Sequence, residues 1–171
     1  MTISQMLLPE FDQEMASTRK LLACLPEDKL EYQPHEKSMK LGRLAAHVAE
    51  MPGWLAMLPK QDKLEIPPDW KPVVATSREQ LLSFFDENAA KGRAALASMS
   101  DEEFAENWSL IFRGHTAFTM PKSAVARNVI MNHVIHHRAQ LGVYFRMNDV
   151  AIPGMYGPSA DDKAAMATAA S

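Results

Sequence analysis

The sequence predicts an all-α protein, a four-helix bundle with a long loop between its second and third helices and a small hairpin before the fourth. Three observations point there. Apolar residues recur at spacings of three and four in four separate stretches, the period of a helix with one buried face. Prolines crowd the chain between the second and third stretches, and two short arms flank Arg113-Gly114 ahead of the last. Residues 1–159 read as one bundle domain and 160–171 as a flexible C-terminal tail, with no internal repeat.

The first stripe is Leu8, Phe11, Met15, Thr18, Leu22 and Leu25, and it closes at Pro26. Pro9 is expected in the first helical turn, because in the interior it would cost about 3 kcal/mol. A turn-rich loop follows, and Ser38 is placed to cap a second helix with the stripe Leu41, Leu44, Val48, Met51 and Leu55. His47 and Trp54 border that stripe. Pro52 and Gly53 predict a kink, since proline withholds an amide from the Val48 carbonyl.

From Pro59 to Thr76 the chain carries four more prolines around Trp70 and reads as a connection without helix. Ser77 and Gln80 then make a capping-box pattern for a third helix through Leu81, Phe85, Ala89, Gly92, Leu96 and Met99, with small residues for a close contact. Ser100 and Glu103 repeat the pattern for a short turn. Trp108–Phe112 and His115–Thr119 are the arms of the hairpin. The fourth helix runs from Pro121 to about Arg146, and Pro153, Gly154, Gly157 and Pro158 end regular structure.

Composition narrows the function classes. A chain of 171 residues, 47% hydrophobic and 23% charged, is long enough to bury a core of its own. A lone cysteine, Cys24, excludes a disulfide framework or a multi-thiolate cluster and fits a reducing, cytoplasmic setting. The start lacks the pattern of a signal peptide, and no apolar run approaches the ~20 residues of a membrane span. With a net charge of −3 and no basic stripe, nucleic acid is not an expected partner, nor is a membrane.

The sharpest local feature is His133-Val134-Ile135-His136-His137 in the fourth helix. Residues four apart stand about 40° apart around the axis and ~6 Å along it, so two imidazoles so placed can share one ion. His133 with His136 is a rival pair. The helix face favours His137, which falls in the inward stripe with Ile130, Leu141 and Tyr144, while His136 lies on the flank. His47 is the other inward histidine near mid-helix. Core histidines satisfied by neighbouring groups are the plain alternative, but three of them would leave several polar nitrogens to satisfy. Neutral imidazoles suit zinc, nickel, iron or copper, not calcium or magnesium, and leave a coordination position open.

These residues resemble the DinB (DinB/YfiT-like) family of bacterial stress-associated helical bundles, which is distinct from the DNA polymerase of that name. The likeness is carried by His47 within Leu44-Ala45-Ala46-His47-Val48-Ala49-Glu50-Met51-Pro52, by Asn132-His133-Val134-Ile135-His136-His137-Arg138-Ala139-Gln140-Leu141, and by Ile152-Pro153-Gly154-Met155-Tyr156-Gly157-Pro158-Ser159. It extends from the first helix to about Ser159. Where the family usually has His-Arg-Gly-Gln, this chain has alanine at 139. The resemblance implies a four-helix bundle, often dimeric, with a metal on His47, His133 and His137.

The function expected on these grounds is a metal-dependent enzyme in which one divalent transition metal activates a water or a low-molecular-weight thiol against a small substrate. Zinc or nickel come first as the metal, iron or copper second. Relatives of the family include thiol-dependent S-transferases and a maleylpyruvate isomerase, so hydrolase and S-transferase chemistry are both implied. The contrasting class is a non-catalytic metal- or ligand-binding stress-response protein. Glu50, three residues after His47, is a candidate fourth ligand, supporting partner or general base, or simply a solvated acid. His35 and His115 fall in loops, and Tyr156 and Trp54 are candidates for a pocket wall. An apolar surplus on the fourth helix at Val125, Val129 and Val143 suggests a second contact, a homodimer.

Overall fold

The structure, a computed structural model, describes residues 1–169. Helix α1 (Ile3–Leu22) starts where the Thr2 hydroxyl accepts from the Gln5 amide at 3.2 Å and the Gln5 side chain accepts from the Thr2 amide at 2.9 Å. This capping box satisfies two donors that the first turn leaves over. It begins the helix well before Pro9, which therefore sits inside α1 and not in its first turn, a correction to the expectation above.

Helix α2 (Leu41–Glu50) has Lys40, not Ser38, at its cap, with no side-chain bond there. The chain needs none, because the amides of Leu41 and Gly42 donate to the carbonyls of Tyr32 and Leu30 at 2.8 and 2.9 Å. At Pro52 the expected disturbance takes the form of a change of pitch, as α2 passes into a 3₁₀ segment over Met51–Met57. Helix α3 (Arg78–Ser98) is capped by Ser77, whose hydroxyl accepts from the Gln80 amide at 3.1 Å. Gly92 on α3 lets the 3₁₀ segment approach closely: a Cβ there would lie 2.3 Å from the Pro52 carbonyl oxygen.

The all-α expectation is corrected by a three-stranded sheet. Strand β1 (Lys63–Ile66) lies inside the proline-rich connection and pairs in parallel with β2 (Asn107–Phe112), which pairs antiparallel with β3 (His115–Pro121). Only four residues of β1 alternate between half-buried and exposed, too short a run to stand out without its partner strand. Between β2 and β3, Arg113 and Gly114 both take positive φ, 52° and 76°, as a two-residue hairpin turn of matching twist requires. The short helix α4 (Asp101–Ala105) precedes the sheet with the predicted Ser100 and Glu103 box.

The last long helical stretch has three parts: α5 (Lys122–Ala124), a wider π segment over Val125–Met131, and α6 (Asn132–Met147). Helix α1 contacts α3 and α6, and α2 contacts the same two, so four helices close a ring around Phe11, Leu22, Leu44, Phe85 and Phe145. Of the expected tail, Ala160–Ala169 forms helix α7, and the last two residues lie outside the described ones. Val125 is buried and Val129 half-buried within the chain, which leaves Val143 as the exposed member of the expected surplus. Among the described residues no helix is long and apolar enough to cross a membrane.

Candidate metal centre

His47 lies on α2 one turn before its pitch changes, and His133 and His137 lie on the first two turns of α6. The packing of α2 on α6 brings the three rings together, with centroids 4.6, 4.8 and 5.2 Å apart. Each offers a ring nitrogen within 4.8 Å of the others. His47 is buried and the other two are half-buried.

The second nitrogen of two rings stands close to a side-chain oxygen. His47 Nδ1 is 2.6 Å from Glu50 Oε1, its shortest contact, and Arg43 Nη2 donates to the same oxygen at 3.0 Å and lies 3.3 Å from His47 Nδ1. His137 Nδ1 is 2.7 Å from Gln140 Oε1. A proton on Nδ1 in each leaves the lone pair on Nε2, and that of His137 faces His133.

Burial pushes the His133 ring down to about 4, with the neighbouring His137, His47 and His136 adding to the effect. Burial also lowers His137, partly opposed by its bond to Gln140. Both rings are thus held neutral at pH 7, the state in which imidazole binds a metal. His133 Nε2 and His137 Nε2 stand 2.9 Å apart, a distance at which two bare lone pairs repel and a proton or a cation must come between. The donor set therefore fits a transition metal.

The other residues singled out from the sequence stand apart from this set. His136 is exposed, its ring against His137 at 4.8 Å but outside the group of converging nitrogens. His35 is exposed and accepts from the Lys37 amide, and His115 is the exposed first residue of β3, not a loop residue. Glu50 is buried against His47. Trp54, on the 3₁₀ segment, lies 5.6 Å from the His47 ring and 5.9 Å from that of His133, and it lines a cavity of about 450 Å³ that reaches His47 and Glu50.

Tyr156 lines no wall here. Its hydroxyl joins a buried ion pair that sequence reasoning missed: Arg138 Nη2 is 2.7 Å from Glu14 Oε2 and donates to the Tyr156 hydroxyl at 2.7 Å. Arg138 also reaches the Glu14 carbonyl and the Thr18 hydroxyl, both at 3.1 Å, and so fastens the histidine helix to α1. A signal existed. Val134, Arg138, Leu141 and Phe145 form one stripe at spacings of four, three and four, which places the arginine on a buried face.

A mainly helical chain with a small sheet and three converging histidines is the class of protein that this fold and site define. The chain belongs to the DinB family, whose profile matches residues 1–168. It is 24% identical over 155 residues to YrdA, an uncharacterised protein of Bacillus subtilis strain 168, spanning 91% of this chain and 89% of that one. The crystal structure of a DinB-like protein from Bacillus cereus ATCC 10987 matches with a TM-score of 0.67 at 24% identity, covering 87% of this chain and 95% of that one. That of the DinB-like protein YjoA from Bacillus subtilis matches at 0.66 and 20% identity, covering 88% and 96%. Both likenesses concern the fold alone.

Proposed function

We propose that this chain holds one divalent transition metal on His47, His133 and His137 and uses it to activate a water or a small thiol against a small substrate. The observation that carries the reading is the convergence of three ring nitrogens within 4.8 Å, two of the rings having their opposite nitrogen engaged by Glu50 and Gln140. Neutral imidazoles favour zinc or nickel, with iron or copper next, over oxygen-seeking cations. When bound by three such ligands, a metal keeps a position open and lowers the pKa of water there to about 7.

In this reading Glu50 is a positioning residue: it accepts from His47, and Arg43 donates to the same oxygen and holds the carboxylate in place. Arg138 holds α6 in place and Gln140 aims His137. The ring of α1, α2, α3 and α6 supports a four-helix bundle as the scaffold, with the sheet added at one side of the cavity. Hydrolase and thiol S-transferase chemistry both remain open to such a centre.

One observation favours the rival reading of a non-catalytic metal- or ligand-binding protein. Among the described residues the one carboxylate bonded to the histidines is Glu50, and its Oε1 already accepts from both Arg43 and His47, which is the arrangement of a supporting partner. Metal analysis of the purified protein comes first, with His133→Ala as the control expected to lose the ion. The loaded protein is then challenged with a thiol plus an aryl electrophile, and with an activated ester. Turnover that disappears in folded His137→Ala supports the enzyme; a retained metal without turnover across these substrates supports the rival.

A further inference from the structure

We infer that residues 67–74 form a hinged strap over the mouth of the cavity and that Arg43 is its latch, so that release of Arg43 opens a path for a small molecule to the His47 side of the histidines. The strap joins β1 to α3, and both of its ends are fixed. Ile66 pairs with Phe112 of β2, and the buried Ala75 donates its amide to the Gly42 carbonyl at 3.1 Å. Between those points every residue from Pro67 to Val74 is exposed. Pro67, Pro68 and Pro72 have no amide to donate. Among the described residues, the one strap amide with a backbone partner is that of Trp70, which donates to Pro67 within the strap itself. A segment with so few buried contacts and hydrogen bonds opens readily.

Arg43, on α2, ties the middle of the strap to the body of the protein. Its Nη1 donates to the Val73 carbonyl at 3.3 Å, and its guanidinium lies 5.8 Å from the centre of the Trp70 ring. Its Nη2 donates to Glu50 Oε1 at 3.0 Å and lies 3.3 Å from His47 Nδ1. Among the described residues no other side chain from outside the strap hydrogen-bonds to it. The planar fork of arginine holds both ends at once, which the single charged point of a lysine cannot do. Trp70 lines the cavity yet is 51% exposed, so it stands at the rim. Further in, the cavity reaches Trp54, Glu50 and His47.

The strap and the histidines are coupled through this one guanidinium. Loss of the Glu50 charge frees Arg43 and so loosens a strap with which Glu50 makes no bond. Nothing in this coupling requires an ion, so it goes beyond the metal reading and stands or falls without it.

The test follows Trp54 and Trp70 by fluorine NMR in the full chain grown with 5-fluorotryptophan and treated with a chelator. Solvent isotope shifts read how wet each ring is, and relaxation dispersion reads the fraction of time that Trp70 spends open. Arg43→Lys is expected to raise that open fraction about fivefold, the scale of one hydrogen bond, and to wet Trp54 as the cavity fills. Glu50→Gln should move Trp70 in the same direction. Trp70→Ala removes the cover with Arg43 and Glu50 intact, and it should wet Trp54 by itself. Trp70 unchanged in Arg43→Lys overturns the latch, and Trp70 unchanged in Glu50→Gln overturns the coupling. Trp54 as dry in Trp70→Ala as in the wild type overturns the strap as the cover of the cavity. That last variant alters an exposed residue, so it decides the matter even where Arg43→Lys fails to fold.

Discussion

Glu50 Oε1 lies 2.6 Å from His47 Nδ1, three residues away on the same buried face of α2, with Arg43 donating to the same oxygen at 3.0 Å. The carboxylate fixes which nitrogen of His47 carries the proton and so which one is free. Partners of this kind typically account for a 10- to 100-fold share of metal affinity. Glu50→Gln is therefore expected to weaken zinc binding by roughly that factor while circular dichroism stays unchanged, as read by competition against a chromophoric chelator. Unaltered affinity would show that Glu50 does not position the ligand.

Arg138 and Glu14 form a buried ion pair between α6 and α1. Removing one member leaves the other charge without a partner, which costs about 3–5 kcal/mol. Arg138→Ala should lose stability on that scale in urea unfolding. The double variant Arg138→Met with Glu14→Gln should recover part of the loss, because no uncompensated charge remains. A double variant as unstable as the sum of its singles would contradict the assignment.

Acid should destabilise the metal-free protein through His133. Unfolded, this ring titrates near 6.5; folded, burial holds it at about 4. Between those values the unfolded chain binds a proton that the folded chain refuses, so stability is greatest above about 6.5 and falls as the pH drops toward about 4. Urea midpoints measured across that window should decline, and decline less in His133→Gln. Equal slopes in the two proteins would assign the acid sensitivity elsewhere.

Gly92→Ala tests the contact that sets the path of the 3₁₀ segment. The added methyl would meet the Pro52 carbonyl at 2.3 Å, and the obstacle is backbone, which has little room to move. A loss of about 1–3 kcal/mol is expected, the usual cost of overpacking. Because Trp54 rides on the displaced segment, its fluorescence should change as well. A variant of wild-type stability would mean that the two backbones can separate freely.

The helices were legible because their signals are local: stripes at three and four residues, and capping patterns at Ser77 and Ser100 that reappear as hydrogen bonds. The hairpin was legible for a similar reason, since Arg113-Gly114 supplies the two positive-φ residues of a tight turn. What escaped reading depends on distant partners. Strand β1 gains its identity from pairing with β2 more than forty residues later in the chain. The amides of Leu41 and Gly42 find carbonyls in the preceding loop, which made the Ser38 cap unnecessary.

The three histidines were visible as spacing on helix faces, and the structure brings them together. The groups that orient them were less visible, although Gln140 stands three residues after His137, as Glu50 does after His47. The π segment ahead of His133 was not legible at all. Its wider turn shifts the angular relation of Val125 and Val129 to the histidines, so an ideal helical wheel placed these valines on an outer face when Val125 is in fact buried and both line the cavity.

X-ray absorption at the metal edge of the zinc-loaded chain tests the central claim most directly. One tightly held ion per chain with three imidazole nitrogens around it, falling to two in His47→Ala, is the expected result. An ion surrounded by oxygen alone, or a spectrum that the His47 substitution leaves unchanged, would contradict it.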